Sequence, residues 1–326
     1  MSAALAVDLG AARTRVVDPG KGMIVEAPTV AAVEIPTGRL LAFGEPARQM
    51  IGRSAGAVNV VRPVRHAQLQ DLGLTDQIAS HLLRMARSVG VARPEVLCCV
   101  SGLAGGVHRR ALERSFKGAG ARRVGFLDHA VACAIGARIG MEEPVASMMV
   151  DVGAASTDIA IMAIGGIVST GAVPLGGGDF DEEIRQLCIR SFELLIDIRT
   201  AEEVKRSIGS AWPSEEKKVQ VTGRDLSSGR PRSIVLSTSD VAAAVARTVD
   251  TIVDATIRCI TDSPPDLAND LLARGLHLAG GGGLLDGFAR RLATATGIPV
   301  HLVHDPIGAA AAGAACYLQA DGSPGW

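Results

Sequence analysis

Short apolar runs separated by turn residues alternate with amphipathic stretches along the whole chain. Ala4 to Val7 is an apolar run, and after a turn comes Val16-Val17. Met148 to Val150 is another, and after a similar turn comes Ile159 to Met162. Runs of this length bounded by turn residues read as buried strands. The two turns are nearly the same sequence: Asp8-Leu9-Gly10-Ala11-Ala12-Arg13-Thr14 and Asp151-Val152-Gly153-Ala154-Ala155-Ser156-Thr157. Strand, tight turn, strand is therefore used twice. Such an internal repeat predicts two related domains, each offering a hairpin turn to a shared cleft.

The pattern between the turns completes each half. Met23 to Leu41 reads as further strands and Gly44 to Ser54 as a short helix. Thr75 is expected to cap a helix with Ile78, Leu82, Met85 and Val89 on its apolar face. Glu95 to Val100 and Val124 to Leu127 read as strands. Between them Val107 to Phe116 reads as a helix ended by Gly118 and Gly120. His129 to Ile139 predicts a small-residue helix passing between the domains. The second half starts near Pro144, with a third strand from Gly165-Gly166 to Leu175. Gly176-Gly177-Gly178 opens a helix, with Asp179 and Glu182 at capping-box spacing and Phe180, Ile184, Leu187, Ser191 and Leu195 on one face. Thr200 to Ile208 reads as a helix, Arg224 to Val235 as a polar strand pair, and Ser239 as the cap of a helix to Ile260. Gly275 to Ala279 is a strand, Gly280 to Gly283 opens a helix Leu284 to Thr296, and Val300 to Val303 is a strand. The last helix, Ala309 to Leu318, crosses back to the first domain.

This is an α/β chain with a mixed, largely parallel sheet in each half. The expected domains are 1–137 with 305–326, carrying a small insertion at about 28–72, and 138–304, carrying one at about 179–245. A length of 326 residues suits two domains, and 48% hydrophobic residues suffice for two cores. A net charge of −1 and 3% aromatic residues give neither a basic field nor stacking platforms for nucleic acid. The six cysteines form no CxxC pair and sit in apolar surroundings, as in a reduced cytoplasmic protein. Met1 to Ala6 is too short for a signal peptide, and no apolar run is long enough to span a bilayer. His301 and His304, without a third ligand, read as solvated. The Glu215 to Lys218 charge run reads as a solvated turn, and Trp212 as packing on the second insertion.

The chemistry lies in four glycine turns standing in matching places: Asp8-x-Gly10, Asp151-x-Gly153, Leu175-Gly176-Gly177 and Gly280 to Gly283. Glycine lets backbone N–H groups approach an anion closely, and two of the turns precede expected helices, whose N-termini favour phosphate. An acid in such a turn can hold a divalent cation through its water shell.

With these turns the chain resembles the actin-like ATPase superfamily, and within it the bacterial MreB/Mbl rod-shape proteins. The resemblance extends to Arg109-Arg110-Ala111, Gly118 to Arg122, Ala134-Ile135-Gly136, Phe180-Asp181-Glu182, Thr200-Ala201-Glu202, Lys205, Ile208 to Ala211 and Gly297 to Val300. It implies an actin-like fold of four subdomains around a nucleotide cleft, holding ATP or ADP and Mg2+. It assigns Asp8, Gly10, Ala11, Ala12, Arg13 and Thr14 to a first phosphate loop. Gly153, Ala154, Ala155, Ser156 and Thr157 form the second, with Gly176 and Gly177 beside it. Glu202, Lys205 and Arg206 stand where the family holds ribose and base, and Gly280, Gly281, Gly282 and Gly283 form the adenosine loop. Asp8 and Asp151 would hold the metal through water, and Asp151 and His129 would be the catalytic positions.

The departures are as informative. The family's threonine and asparagine in the first loop are Ala11 and Arg13 here, and its second-loop glycine run becomes Gly153-Ala154-Ala155. An alanine forced to positive φ would be strained. Gly178 replaces an acid. Glu-Glu-Pro before the interdomain helix becomes Asp128-His129-Ala130, with His129 in place of the glutamate that orients the attacking water. The expectation is an ATP-binding cytoskeletal protein with slow or absent hydrolysis. It would self-associate into filaments, or with a related MreB, and guide cell-wall synthesis machinery and cell shape. It would lie in the cytoplasm, with membrane contact weak or indirect. Two alternatives stay open: a non-polymerising, ATP-binding partner of a true MreB, and a small-molecule kinase of the same superfamily.

Overall fold

The computed structural model describes residues 3–53, 56–65, 68–139, 145–163 and 166–320. Ser54, Pro144 and Gly165 lie outside them. The chain forms two compact units, Met1–Gly140 with Ile307–Trp326, and Met141–Pro306.

Each unit is built on a five-stranded mixed sheet of one topology. In the first, the order is Arg123–Asp128, Glu95–Val100, Ala4–Leu9, Arg13–Asp18, Gly22–Pro28. Ala4–Leu9, Arg13–Asp18 and Gly22–Pro28 form an antiparallel meander, and the two strands on the other side of Ala4–Leu9 run parallel to it. The second unit repeats this as Val300–Leu302, Leu276–Ala279, Ser147–Val152, Thr157–Ala163, Gly166–Val173. Glu95–Val100 and Ser147–Val152 are buried at every position, as expected of strands covered on both faces. A small three-stranded sheet accompanies each unit: 31–34 with 40–43 and 58–61 in the first, 194–195 with 218–225 and 231–237 in the second.

One core packs Leu5, Val7, Val16, Val96 and Cys98 under Ile78, Leu82 and Phe116. The other packs Met148, Val150, Ile159 and Ile161 with Phe180, Ile184, Val249, Ile252 and Phe288. Within the first unit, helix Ala309–Ala320 crosses helix His129–Gly136 at backbone contact. A Cβ on Gly313 would overlap the Ala132 carbonyl, so glycine at the crossing is a steric requirement.

Several helix ends differ from expectation, each for a local reason. Helix Leu72–Ser88 is capped by Asp71, which accepts from Leu74 N–H at 2.9 Å. Thr75 lies inside the helix, its hydroxyl donating to the Asp71 carbonyl. Met85 and Val89 are exposed, and Leu83 and Ala86 fill the buried face instead. Helix Gly177–Phe192 stops at Glu193, which takes a left-handed conformation, so Leu195 belongs to a strand. Its N-terminal clamp runs from Gly176 N–H to Asp179, without Glu182. The polar hairpin begins at Lys218, earlier than Arg224. Ser237 rather than Ser239 caps helix Thr238–Thr261, in a reciprocal pair with Asp240. The helix after Gly280–Gly283 starts only at Phe288, after a 3-10 turn at Gly282–Leu284. A helix Ala268–Arg274 has no counterpart in the expected elements. Helix Glu45–Gln49 is shorter than Gly44 to Ser54. Five cysteines are buried, and burial pushes the Cys188 thiol up to about 11, but Cys316 is exposed rather than enclosed.

Candidate functional site

In the first unit the turn between Ala4–Leu9 and Arg13–Asp18 carries Asp8 at its start. Asp8 is buried, and the register sets it directly opposite Arg15. Arg15 Nη1 lies 3.7 Å from Asp8 Oδ2, with both side chains only 6% exposed. Arg15 Nε and Nη2 donate to Glu26 Oε1 at 3.3 and 3.1 Å, which holds the guanidinium in place. The other Asp8 oxygen, Oδ1, is 3.2 Å from His129 Nε2. Asp128, just before His129, takes Arg109 Nη2 at 2.8 Å. Arg13 is half exposed and 3.5 Å from Glu26. Thr14 turns inward, sharing a 2.8 Å hydroxyl hydrogen bond with Thr29, so it offers no hydroxyl to a ligand from this turn. Gly10 sits where a Cβ would press on the Arg13 carbonyl, and Ala11 and Ala12 form the partly exposed tip.

In the second unit three glycine turns converge. Gly153 N–H donates to the Ser156 carbonyl at 2.9 Å, closing the turn after Asp151. Gly177 N–H donates to the Gly153 carbonyl and Gly178 N–H to the Ala154 carbonyl, both at 2.8 Å. These helix N–H groups are therefore engaged by the neighbouring turn and are not open to an anion. Their effect is to hold the 153–155 turn against the helix. Gly282 closes on the same place, with a Cβ there falling 3.1 Å from the Gly153 carbonyl. Gly280 has φ +81, donates to the Pro306 carbonyl at 2.7 Å and leaves no room for a Cβ beside Val152 and Asp151. Gly281 faces open space, and Gly283 N–H returns to the Gly280 carbonyl.

Thr157 is buried and donates to the Leu175 carbonyl at 2.8 Å. Ser156 Oγ donates to Asp158 at 3.2 Å. Asp151 and Asp158 are both buried and directly opposed across the hairpin. Lys205 Nζ donates to the Gly177 carbonyl at 2.7 Å and pairs with Asp181 at 2.7 Å, so it braces the glycine turn from helix Ile198–Ile208. Glu202 is half exposed and stands 4.0 Å from the more exposed Arg206 on the same helix. Trp212 packs outside the expected insertion, against Gly287 and under the Arg290 guanidinium at 4.9 Å. Ser210 and Ala211 bond to Asp286, which ties the 280–287 loop down.

Neither Ala154 nor Ala155 takes positive φ; among the described residues the non-glycine positions that do are Arg93, Arg138 and Glu193. The expected alanine strain is therefore absent. Arg15, Glu26, Asp158 and Asp181 were not among the expected site residues. One signal could have found two of them: Arg15 and Asp158 stand at the same offset from the repeated acid.

The fold has close counterparts among solved structures. MreB5 of Spiroplasma citri bound to ADP superposes with a TM-score of 0.92 at 26% identity, covering 98% of this chain and 97% of that one. The MamK double helical filament matches with a TM-score of 0.81 at 18% identity, over 97% of this chain and 98% of that one, a likeness of fold. The architecture is thus actin-like. In sequence, the cell shape-determining protein MreB of Escherichia coli (strain K12) is 36% identical over 322 residues, 97% of this chain and 93% of that protein. The cell shape-determining protein Mbl of Bacillus subtilis (strain 168) is 31% identical over 317 residues, 97% of this chain and 95% of that protein. A profile of the MreB/Mbl protein family matches residues 2–323, and the chain belongs to that family.

Proposed function

We propose that this chain is a cell shape-determining, actin-like cytoskeletal protein that binds an adenine nucleotide and assembles with copies of itself. The observation that carries the nucleotide reading is the convergence of the 153–155, 176–178 and 280–282 turns, braced by Lys205. Small side chains there let phosphate and ribose approach the main chain, at groups other than the Gly153, Gly177 and Gly178 N–H groups already engaged. The ADP-bound relative of the same fold supports the choice of ligand. Glu202 and Arg206 are exposed enough to meet the sugar or base. Asp151 is the acid suited to Mg2+, which when bound would screen phosphate charge.

Hydrolysis is slow or absent, because His129 is engaged with Asp8 and offers no carboxylate to orient water. Assembly is head-to-tail, since a heterologous contact that does not close yields a filament. The filament would guide the cell-wall synthesis machinery. No helix among the described residues is long and apolar enough to cross a membrane. The first unit carries more Lys and Arg than Asp and Glu, the reverse of the second, so any contact with an anionic leaflet is weak and made by the first. A second reading, a non-polymerising nucleotide-binding partner of another MreB, is favoured by the Asp8–Arg15–His129 cluster, which departs from a hydrolytic site. Electron microscopy and light scattering across protein concentration, with ADP and a non-hydrolysable ATP analogue, separate the two. Filaments support self-assembly, and a monomer at tens of micromolar with nucleotide bound supports the partner reading.

A further inference from the structure

The two hairpins place opposite charges at one equivalent position. Across from Asp8 stands Arg15, and across from Asp151 stands Asp158. We propose that Arg15 takes the place of a cation at Asp8, so that of the two acids matched to Mg2+ only Asp151 serves the metal. The proposal rests on the nucleotide reading above for its ligand, but not for its charge argument.

The residues at Asp8 do not fit a hydrated Mg2+. The Arg15 guanidinium is buried with Asp8 at 3.7 Å. Its Nε and Nη2 are fixed on Glu26, which turns Nη1 toward the acid. Asp8 Oδ1 is matched with His129 at 3.2 Å. Both carboxylate oxygens thus have partners on this chain. A dication held through water would compete with His129 for Oδ1, and it would sit beside a fixed positive charge away from bulk solvent. At Asp151 the residue directly opposite is a second acid, Asp158, where the first hairpin has a cation.

The test compares ADP affinity with Mg2+ and with EDTA, by calorimetry, for wild type, Asp8→Asn, Asp151→Asn and Arg15→Gln. The ratio of the two affinities is the readout. Asp8→Asn is expected to leave that ratio within about threefold of wild type, and Asp151→Asn to reduce it toward one. Arg15→Gln, which releases Asp8, is expected to raise it about tenfold, with the Asp8→Asn/Arg15→Gln double variant returning to the wild-type ratio. A parallel Mn2+ titration without nucleotide, followed by electron paramagnetic resonance, should show extra Mn2+ binding in Arg15→Gln that the double variant lacks. A collapse of the ratio in Asp8→Asn overturns the proposal, as does an Arg15→Gln protein that matches wild type in both titrations. If no form binds ADP, the nucleotide reading fails and the Mn2+ titration alone decides the charge argument. If Arg15→Gln does not fold, the Asp8→Asn ratio decides it.

Discussion

The turn after Asp8 and the turn after Asp151 are two copies of one design with opposite electrostatics. Both start on a buried acid at the end of a central strand, and both return into an antiparallel partner. In the first copy the acid is countered by Arg15 and touched by His129, and the hairpin is electrically closed by its own side chains. In the second the acid faces Asp158, and the turn is packed into two further glycine turns. The lesson is that a repeated backbone motif does not carry its ligand chemistry with it. The two copies differ in charge at one cross-strand position, Arg15 in the first and Asp158 in the second.

The comparison can be broken most forcefully at Arg15. Arg15→Leu leaves Asp8 buried without its main counter-charge, and removing one partner of a buried pair costs about 3 kcal/mol or more. Urea unfolding should show that loss, and Asp8→Leu/Arg15→Leu should recover most of it. Recovery failing in the double variant would mean the residues matter through packing and not charge. Next in size is turnover. His129→Glu supplies the carboxylate that the family resemblance leads one to expect at this position, and general-base help of this kind is worth about 10²-fold. Phosphate release from ATP no faster than wild type would place the block elsewhere, with the Asp8–Arg15 pair as the next suspect.

Asp158→Arg gives the second turn the charge pattern of the first. It should make ADP affinity at least about tenfold less dependent on Mg2+, because a fixed cation then stands opposite Asp151. An unchanged dependence would show that the register position does not govern the metal. The smallest effect is expected at Arg13. Its pair with Glu26 is about half exposed, so Arg13→Asn should shift unfolding by less than about 0.5 kcal/mol. A larger loss would mean that Glu26 needs Arg13 to hold Arg15.

Much of this architecture was legible in the chain itself. The near-identity of 8–14 and 151–157 implied two related halves, and both sheets do share one strand order. Glycine spacing located the turns because close backbone packing leaves few other residues possible. Helix starts were harder. Asp71 and Ser237 cap their helices from positions just before the periodic stretch, whereas Thr75 and Ser239 have cap-forming side chains within it. Helix Phe288–Thr296 starts late because the 3-10 turn Gly282–Leu284 and the left-handed Gly287 precede it. Arg15 and Asp158 passed as ordinary strand residues, since composition and period do not state which side chains oppose each other across a hairpin. The use of the Gly177 and Gly178 N–H groups by the 153–154 carbonyls was equally invisible, because it depends on how two turns meet in space.

Whether the glycine turns hold an adenine nucleotide is the central question. Isothermal titration of ADP with Mg2+ into the wild-type protein, paired with its melting temperature, measures this. Saturable heat is predicted, together with a rise in melting temperature that grows with ADP, as required of a ligand that binds only the folded state. Gly280→Ala should weaken both, since its positive φ and the crowding by Val152 leave no place for a methyl group. No heat and no thermal stabilisation of the wild type at millimolar ADP would contradict the account.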